Sequence, residues 1–281
     1  MNKLSSLKTL SLLLLLLLAV PSCRDDSLNV PIAPAKSKQE SGQKGPGAHQ
    51  RSIPVMGSWQ VFDVKVEELS GLCMNQDTTG FWAVGDEGAL CAVSFRGAVT
   101  PKLTTGLDLE GITIDPSTGD LYVAVEGDQM VCRVAAPNHD TVDTLFHVQE
   151  ALTRDFDNNG LEGIAFYQDS LLVVGSQEDA LVWVYRLDGT LVSRTSLRGE
   201  TSLIEEVAGL FYDAKKDWLW VTDSDTQRLF IFKFGEFDLL ASYEVPFIDN
   251  AESICVDRAH GCVWVGSDED DPKLYRISFT F

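Results

Sequence analysis

Leu109-Glu110-Gly111-Ile112-Thr113-Ile114-Asp115 joins an acid, a glycine and a short β-run, and the pattern returns along the chain. Leu161-Glu162-Gly163-Ile164-Ala165-Phe166 repeats it, and Ala251-Glu252-Ser253-Ile254-Cys255-Val256-Asp257 does so with Ser for Gly. Val207-Ala208-Gly209-Leu210-Phe211-Tyr212-Asp213 and Leu69-Ser70-Gly71-Leu72-Cys73-Met74 keep the shape and lose the acid. Aligned, the five starts put Ser70, Glu110, Glu162, Ala208 and Glu252 at one place, here called the ring position. Its spacings are 40, 52, 46 and 44 residues. A period of that size in a β-rich chain points to propeller blades.

A second polar mark runs in step. It is Asp86, Glu126, Ser224 and Asp268, each 16 residues past the ring position, and Ser176 in the third repeat, 14 residues past it. One mark opens the first strand of a hairpin and the other closes its second strand, so the two lie side by side. Five hairpins in a ring gather all the marks at one mouth.

The strands read from alternation and turn chemistry divide into five sets. The last set is one strand short, and the alternating run Gln60–Val66 before the first set is one strand spare. The expectation is an all-β, five-bladed β-propeller over residues 59–281, closed by its own N-terminal strand, which also hides the sheet edges. A six-bladed ring is the alternative if the long second-to-third spacing holds further strands. No helical periodicity is read in this domain. Trp82, Tyr122, Trp220 and Trp264, with Leu172 in the third repeat, share one place in the second strand. Large flat rings there suit packing between blades better than a carbohydrate platform.

The remainder precedes the propeller. Lys3 and Lys8, then the apolar run Leu10–Val20, then Val20-Pro21-Ser22-Cys23, resemble a bacterial lipoprotein signal peptide over residues 1–22 with Cys23 as the lipidated residue. Residues 23–58 contain four prolines and little that can be buried, and read as a flexible linker. Residues 59–281 hold 15 basic and 39 acidic residues, a net of −24, so the acidity belongs to the folded part. That sign excludes nucleic acid as a partner and favours cations. Setting aside Cys23, five cysteines remain; Cys255 and Cys262 flank a turn and could pair across it, the others sit at apolar strand positions, no zinc-like spacing exists, and buried reduced thiols are expected for most.

Three carboxylates, Glu110, Glu162 and Glu252, converge on the axis in this arrangement. They must be kept apart, protonated or bridged by a cation. Two readings stand: the acids cap backbone N–H groups at each blade start, or they ligate a hard ion, for which oxygen donors in irregular geometry suit Ca²⁺. Asp155-Phe156-Asp157-Asn158-Asn159-Gly160 matches the opening of a calcium loop and leads into Glu162, so Asp155, Asp157, Asn159 and Glu162 form a second candidate set. Asp86, Glu126 and Asp268 are candidate ligand-binding residues at the mouth. Catalytic residues are not assigned: the domain lacks GxSxG, and no Ser-His-Asp set is legible.

The repeated Glu-Gly-Ile starts, the LEGIAF run, the closing AESICVD, VWVGSDED and LYRI segments and the leader together resemble the SdiA-regulated family of bacterial β-propeller proteins. That resemblance implies the fold and an envelope location, here an outer-membrane lipoprotein facing the periplasm or the cell surface. The expected function is a lipid-anchored propeller that binds Ca²⁺ and an unidentified small-molecule or protein ligand at its acidic mouth. The alternative is a metal-dependent hydrolase of phosphoesters or lactones. The anchor is checked directly: Cys23→Ala should abolish lipidation and membrane partition, and unchanged mass and partition would refute the lipobox.

Overall fold

Each repeat folds as a four-stranded antiparallel sheet because its β-runs are five to nine residues long and are separated by Asp, Asn, Gly and Ser turns. The computed structural model describes residues 53–154, 160–168 and 170–281; the leader, Cys23, most of the linker and the Asp155, Asp157 and Asn159 loop lie outside them. Strand β1 (Val55–Asp63) precedes the repeats. Blade one is β2 (Leu69–Met74), β3 (Gly80–Gly85), β4 (Ala89–Ser94) and β5 (Val99–Thr104). Blade two is β6 (Leu109–Ile114), β7 (Leu121–Val125), β8 (Met130–Val134) and β9 (Val142–His147), followed by helix α1 (Gln149–Arg154). Blade three is β10 (Leu161–Tyr167), β11 (Leu171–Ser176), β12 (Leu181–Arg186) and β13 (Leu191–Ser196). Blade four is β14 (Gly209–Asp213), β15 (Trp218–Asp223), β16 (Arg228–Lys233) and β17 (Leu239–Glu244). Blade five takes β18 (Ala251–Asp257), β19 (Cys262–Ser267) and β20 (Lys273–Thr280) from the C-terminus and β1 as its outermost strand. The protein is a five-bladed β-propeller, with β2, β6, β10, β14 and β18 packed in a closed circle about the axis.

Two details differ from the sequence expectation. The closing strand is Val55–Asp63, paired from Val55↔Thr280 to Asp63↔Lys273, and not Gln60–Val66. Val64 and Val66 are buried as the chain crosses to blade one, so they alternate without being paired in a sheet. The long spacing between blades two and three contains helix α1, and no further strand among the described residues, so the ring has five blades. Six residues are too few to show a helical period. The helix is held instead by tertiary contacts: Ala151 is buried, and Glu150 accepts from Trp183 Nε1 at 3.0 Å and pairs with Arg194 at 2.7 Å.

The core is divided among the faces between blades. Five buried apolar clusters are found among the described residues, one for each pair of neighbouring blades. Trp220 meets Phe279 of blade five edge-on at 5.5 Å, Trp264 meets Phe81 of blade one at 5.2 Å, and Tyr122 stacks on Phe166 of blade three at 5.8 Å. Such aromatic pairs add about 0.5–1.5 kcal/mol each beyond the area they bury. Trp82 is only partly buried, and it is contacted by His139 at 4.7 Å and by the Lys102 ammonium at 5.8 Å from the ring centre. Cys73, Cys91, Cys132, Cys255 and Cys262 are all free and buried. Cys255 pairs in register with Trp264, and Cys262 with Asp257, so the hairpin does not bring those two thiols opposite each other.

Closure by β1 covers the edge of β20, which would otherwise offer unpaired backbone groups. A chain beginning at Ile53 should melt like the full-length protein. One beginning at Val64 should melt at least about 10 °C lower or aggregate. Equal melting temperatures for the two would refute closure by β1.

Candidate functional site

The inner strands approach each other closely, and this sets the start of each blade. A Cβ placed on Gly71 would stand 2.6 Å from the Glu110 carbonyl oxygen, one on Gly209 would stand 2.5 Å from that of Glu252, and one on Gly111 would overlap that of Glu162. The glycine in the repeated Glu-Gly is therefore required by the neighbouring backbone. Just before it the strand bulges. Register shifts separate Leu69 from Gly71, Leu109 from Ile112, Leu161 from Ile164 and Ala251 from Ser253. Ser70, Glu110, Glu162 and Glu252 are the bulged residues, released from the ladder. In blade four Ala208 precedes the strand, and its N–H donates to the Thr222 carbonyl at 3.1 Å.

The second mark lies beside the ring position in the hairpin. Asp86, Glu126 and Asp268 donate their backbone N–H to the carbonyls of Glu68, Asp108 and Asn250, at 3.3, 3.1 and 3.0 Å. In blade three the same bond runs from Gln177 to Gly160 at 3.2 Å, so Gln177 is the counterpart, one residue beyond Ser176. Glu126 accepts the Gly160 N–H at 2.8 Å, which ties the residue after the Asp155–Asn159 loop to the mouth of blade two.

Three acids missed by the repeat lie two residues before the ring position: Glu68, Asp108 and Glu206. Glu68 and Glu206 precede the two positions without an acid, Ser70 and Ala208. Glu206 is 7% exposed and accepts from Ser224 N and Asp225 N at 2.9 and 3.0 Å. The ring is thus not limited to three carboxylates, since blade four contributes Glu206. Reading the repeat two residues further upstream would have found all three. Oxygens of Asp108, Glu110 and Glu126 lie within 4.8 Å of one another, as do those of Glu68, Asp86 and Glu87.

Burial and mutual repulsion dominate the electrostatics. Glu162 is 5% exposed, and burial followed by the charges of Glu110, Glu252, Glu126 and Glu206 pushes its pKa well above the carboxylate range. Burial, then the charges of Asp108 and Glu126, raise Glu110 to about 9. Burial, then Glu206 and Asp268, raise Glu252 to about 8, and burial raises Glu206 to about 7. A hydrogen bond shared with Asp86, and the Asp86 charge, bring Glu68 to about 7. Burial raises Glu126 against the Gly160 N–H, and burial and Asp86 raise Asp268. Among the described residues no Lys or Arg pairs with Glu110, Glu126, Glu162, Glu206 or Glu252. The Glu162 carboxyl receives no hydrogen bond from any described residue. The capping role fits Glu206 and Glu126, which hold backbone N–H groups, and does not fit Glu162. An all-carboxylate set with a buried member that has no donor among the described residues matches the needs of a hard divalent cation.

Residues 64–194 match the Phytase-like family, described as having the esterase-like activity of phytase. Curated protein sequences give no match. Among solved structures, the chain is similar to glutaminyl cyclase of Myxococcus xanthus, with a TM-score of 0.60 and 14% identity over 80% of this chain and 96% of that one. It is also similar to the PQQ-bound aldose sugar dehydrogenase of Streptomyces coelicolor, with a TM-score of 0.52 and 11% identity over 81% of this chain and 99% of that one. A chain of a nidogen/laminin complex aligns with a TM-score of 0.52 and 15% identity over 77% of this chain and 86% of that one. At these identities the likeness concerns the fold.

The raised pKa values have a consequence for stability without metal. Folded Glu206, Glu252 and Glu110 keep their protons to about pH 7, 8 and 9, whereas the unfolded chain releases them near 4.5. Between those limits the folded state binds more protons. The contribution of these groups is complete below the unfolded value and is lost as pH rises through the folded values. In EDTA the melting temperature should fall from about pH 5 to about pH 9, and Glu110→Gln should flatten the upper part of that fall. A level or rising profile would contradict these assignments.

Proposed function

We propose that the acidic mouth holds a divalent cation, Ca²⁺ by the chemistry of its donors, and that the protein takes a ligand against it. The supporting observation is Glu162, a buried carboxyl facing Glu110, Glu252, Glu126 and Glu206 with no donor among the described residues. Glu110, Glu162 and Glu252 with Asp108 and Glu126 are the proposed ligands, and Asp86 and Asp268 line the approach. Asp155, Asp157 and Asn159 are proposed as further ligands on the loop that ends at Gly160. The bond from Gly160 to Glu126 favours this, since it ties the end of the loop to the acids. The leader and Cys23 support an envelope lipoprotein whose mouth meets ligands outside the cytoplasm.

A second reading is a metal-dependent hydrolase of phosphoesters or lactones. It is favoured by the Phytase-like match over residues 64–194, which span Asp86, Asp108, Glu110, Glu126 and Glu162. A bound cation supplies Lewis-acid polarisation of a phosphoryl or carbonyl oxygen. The chain's own contribution is proton transfer, and Glu206 and Glu68, each with a pKa of about 7, are suited to it near neutral pH.

Calorimetry should detect Ca²⁺ binding at or below about 1 mM. A hundredfold excess over Kd should stabilise the fold by about 2.7 kcal/mol, a rise in melting temperature of about 5–10 °C. Glu162→Gln and Glu110→Gln should each remove most of that rise, and Mg²⁺ should give much less. Identical melting curves in Ca²⁺ and EDTA with no calorimetric signal would refute the cation site. With the site present, a panel of phosphoesters, lactones and esters separates the readings. Ca²⁺-dependent turnover lost in Glu110→Gln selects the hydrolase, and a flat panel selects ligand binding.

A further inference from the structure

The two ends of the propeller axis differ in kind. Two residues past the ring position every blade carries a branched aliphatic side chain: Leu72, Ile112, Ile164, Leu210 and Ile254. These line an axial space of only about 10 Å³ together with Ser70, Ala208 and Glu252, and so act as a belt that closes the axis. On the side away from the acids the axis widens into a chamber of about 490 Å³, whose floor includes Leu72, Ile112, Leu210 and Ile254. That volume falls within the range of small-molecule sites, about 300–1,000 Å³.

The chamber wall is apolar and open to water. Met74, Ile114, Phe166 and Phe211 line it, and all four are only partly buried. Grouped apolar exposure of this kind marks a binding surface more often than isolated exposed residues do, and methionine and phenylalanine adapt to varied apolar shapes. No Lys or Arg lines the chamber. Its one charged residue among the described ones, Asp115, is 8% exposed, and its Oδ1 accepts from Ser117 N at 2.8 Å and Ser117 Oγ at 2.6 Å. Among the described residues the lining therefore offers little to hold a charged ligand.

Two neutral polar groups do remain. The Thr113 hydroxyl accepts the Phe166 N–H at 2.9 Å and gives its own proton to no described residue. Gln168 uses its Nε2 on the Tyr212 hydroxyl at 3.3 Å, and its Oε1 accepts from no described residue. One donor and one acceptor on an apolar wall select for shape first and for a few polar atoms second.

We propose that this chamber binds an uncharged, predominantly apolar small molecule that carries one or two neutral oxygen or nitrogen groups. The aliphatic belt makes the chamber blind, so it takes a compact molecule from the end opposite the acids. The site is separate from the cation mouth and does not depend on it.

The probe is N-phenyl-1-naphthylamine, an uncharged apolar fluorophore, titrated into the full chain in EDTA. The expected result is saturable binding at one site per chain with enhanced fluorescence. Met74→Trp, which fills the chamber, and Ala214→Trp, at its exposed rim, should each weaken binding about tenfold or more while the protein still melts cooperatively. Ala214 lies on the surface, so its variant decides the matter where Met74→Trp does not fold. Unsaturable binding, several sites per chain, or an affinity unchanged in the folded variants would overturn the proposal. Because the titration contains no metal, such a failure leaves the cation reading standing.

Discussion

Five inner strands must pass close to one axis, and the backbone of each lies almost against that of the next. Gly71, Gly111 and Gly209 each stand where a Cβ would strike the carbonyl of the neighbouring ring residue. The glycine and the bulge before it are two sides of this steric requirement. The glycine lets the strands approach, and in four blades the bulge frees the preceding residue from pairing. An acid at that place is then delivered to the axis in several blades at once. The convergence of Glu110, Glu162 and Glu252 is thus a result of how the ring closes, as are the raised pKa values that follow from it.

The same geometry explains why the mouth is costly without a cation. Burial disfavours charge on each carboxyl, and each neighbour's charge disfavours it further. Backbone N–H groups relieve Glu126 and Glu206, which accept from Gly160 and from Ser224 and Asp225. Glu162 has no such relief among the described residues, so either protons or a divalent ion must neutralise the site. Residues 64–194 match the Phytase-like family, while the solved structures of similar fold carry unrelated names. One propeller scaffold supports many chemistries, because function resides in the residues placed at the ends of the axis.

A repeat protein applies one position five times, so a single substitution pattern changes a whole layer. The ring position gives an acidic layer, and the position two residues later gives the aliphatic belt that seals it. Positions beyond the belt vary more, with Met74, Ile114, Phe166 and Tyr212 in corresponding places, and there the axis opens into the apolar chamber. A layered axis lets one end hold charge while the other stays dry enough for an apolar molecule.

The sequence by itself determined the propeller and its five repeats, the closing of the last blade by an N-terminal strand, and the acids at Glu110, Glu162 and Glu252, while the structure excluded a sixth blade among the described residues. A period of 40 to 52 residues and alternating apolar runs are local properties, visible without coordinates. Only the tertiary structure decided the rest. The closing strand is Val55–Asp63 because partners on β20 select it, whereas Val64 and Val66 alternate for burial alone. Helix α1 is too short to announce itself and is held by Trp183 and Arg194 from blade three. Glu68, Asp108 and Glu206 join the mouth because the segment before each ring position lies beside the end of the second strand of its own blade. The apolar chamber is lined from corresponding places in separate blades, but that a space is left open between them is set by how the blades pack. Contacts between residues distant in the chain are set by packing, and a sequence period shows which places repeat without showing which side chains meet.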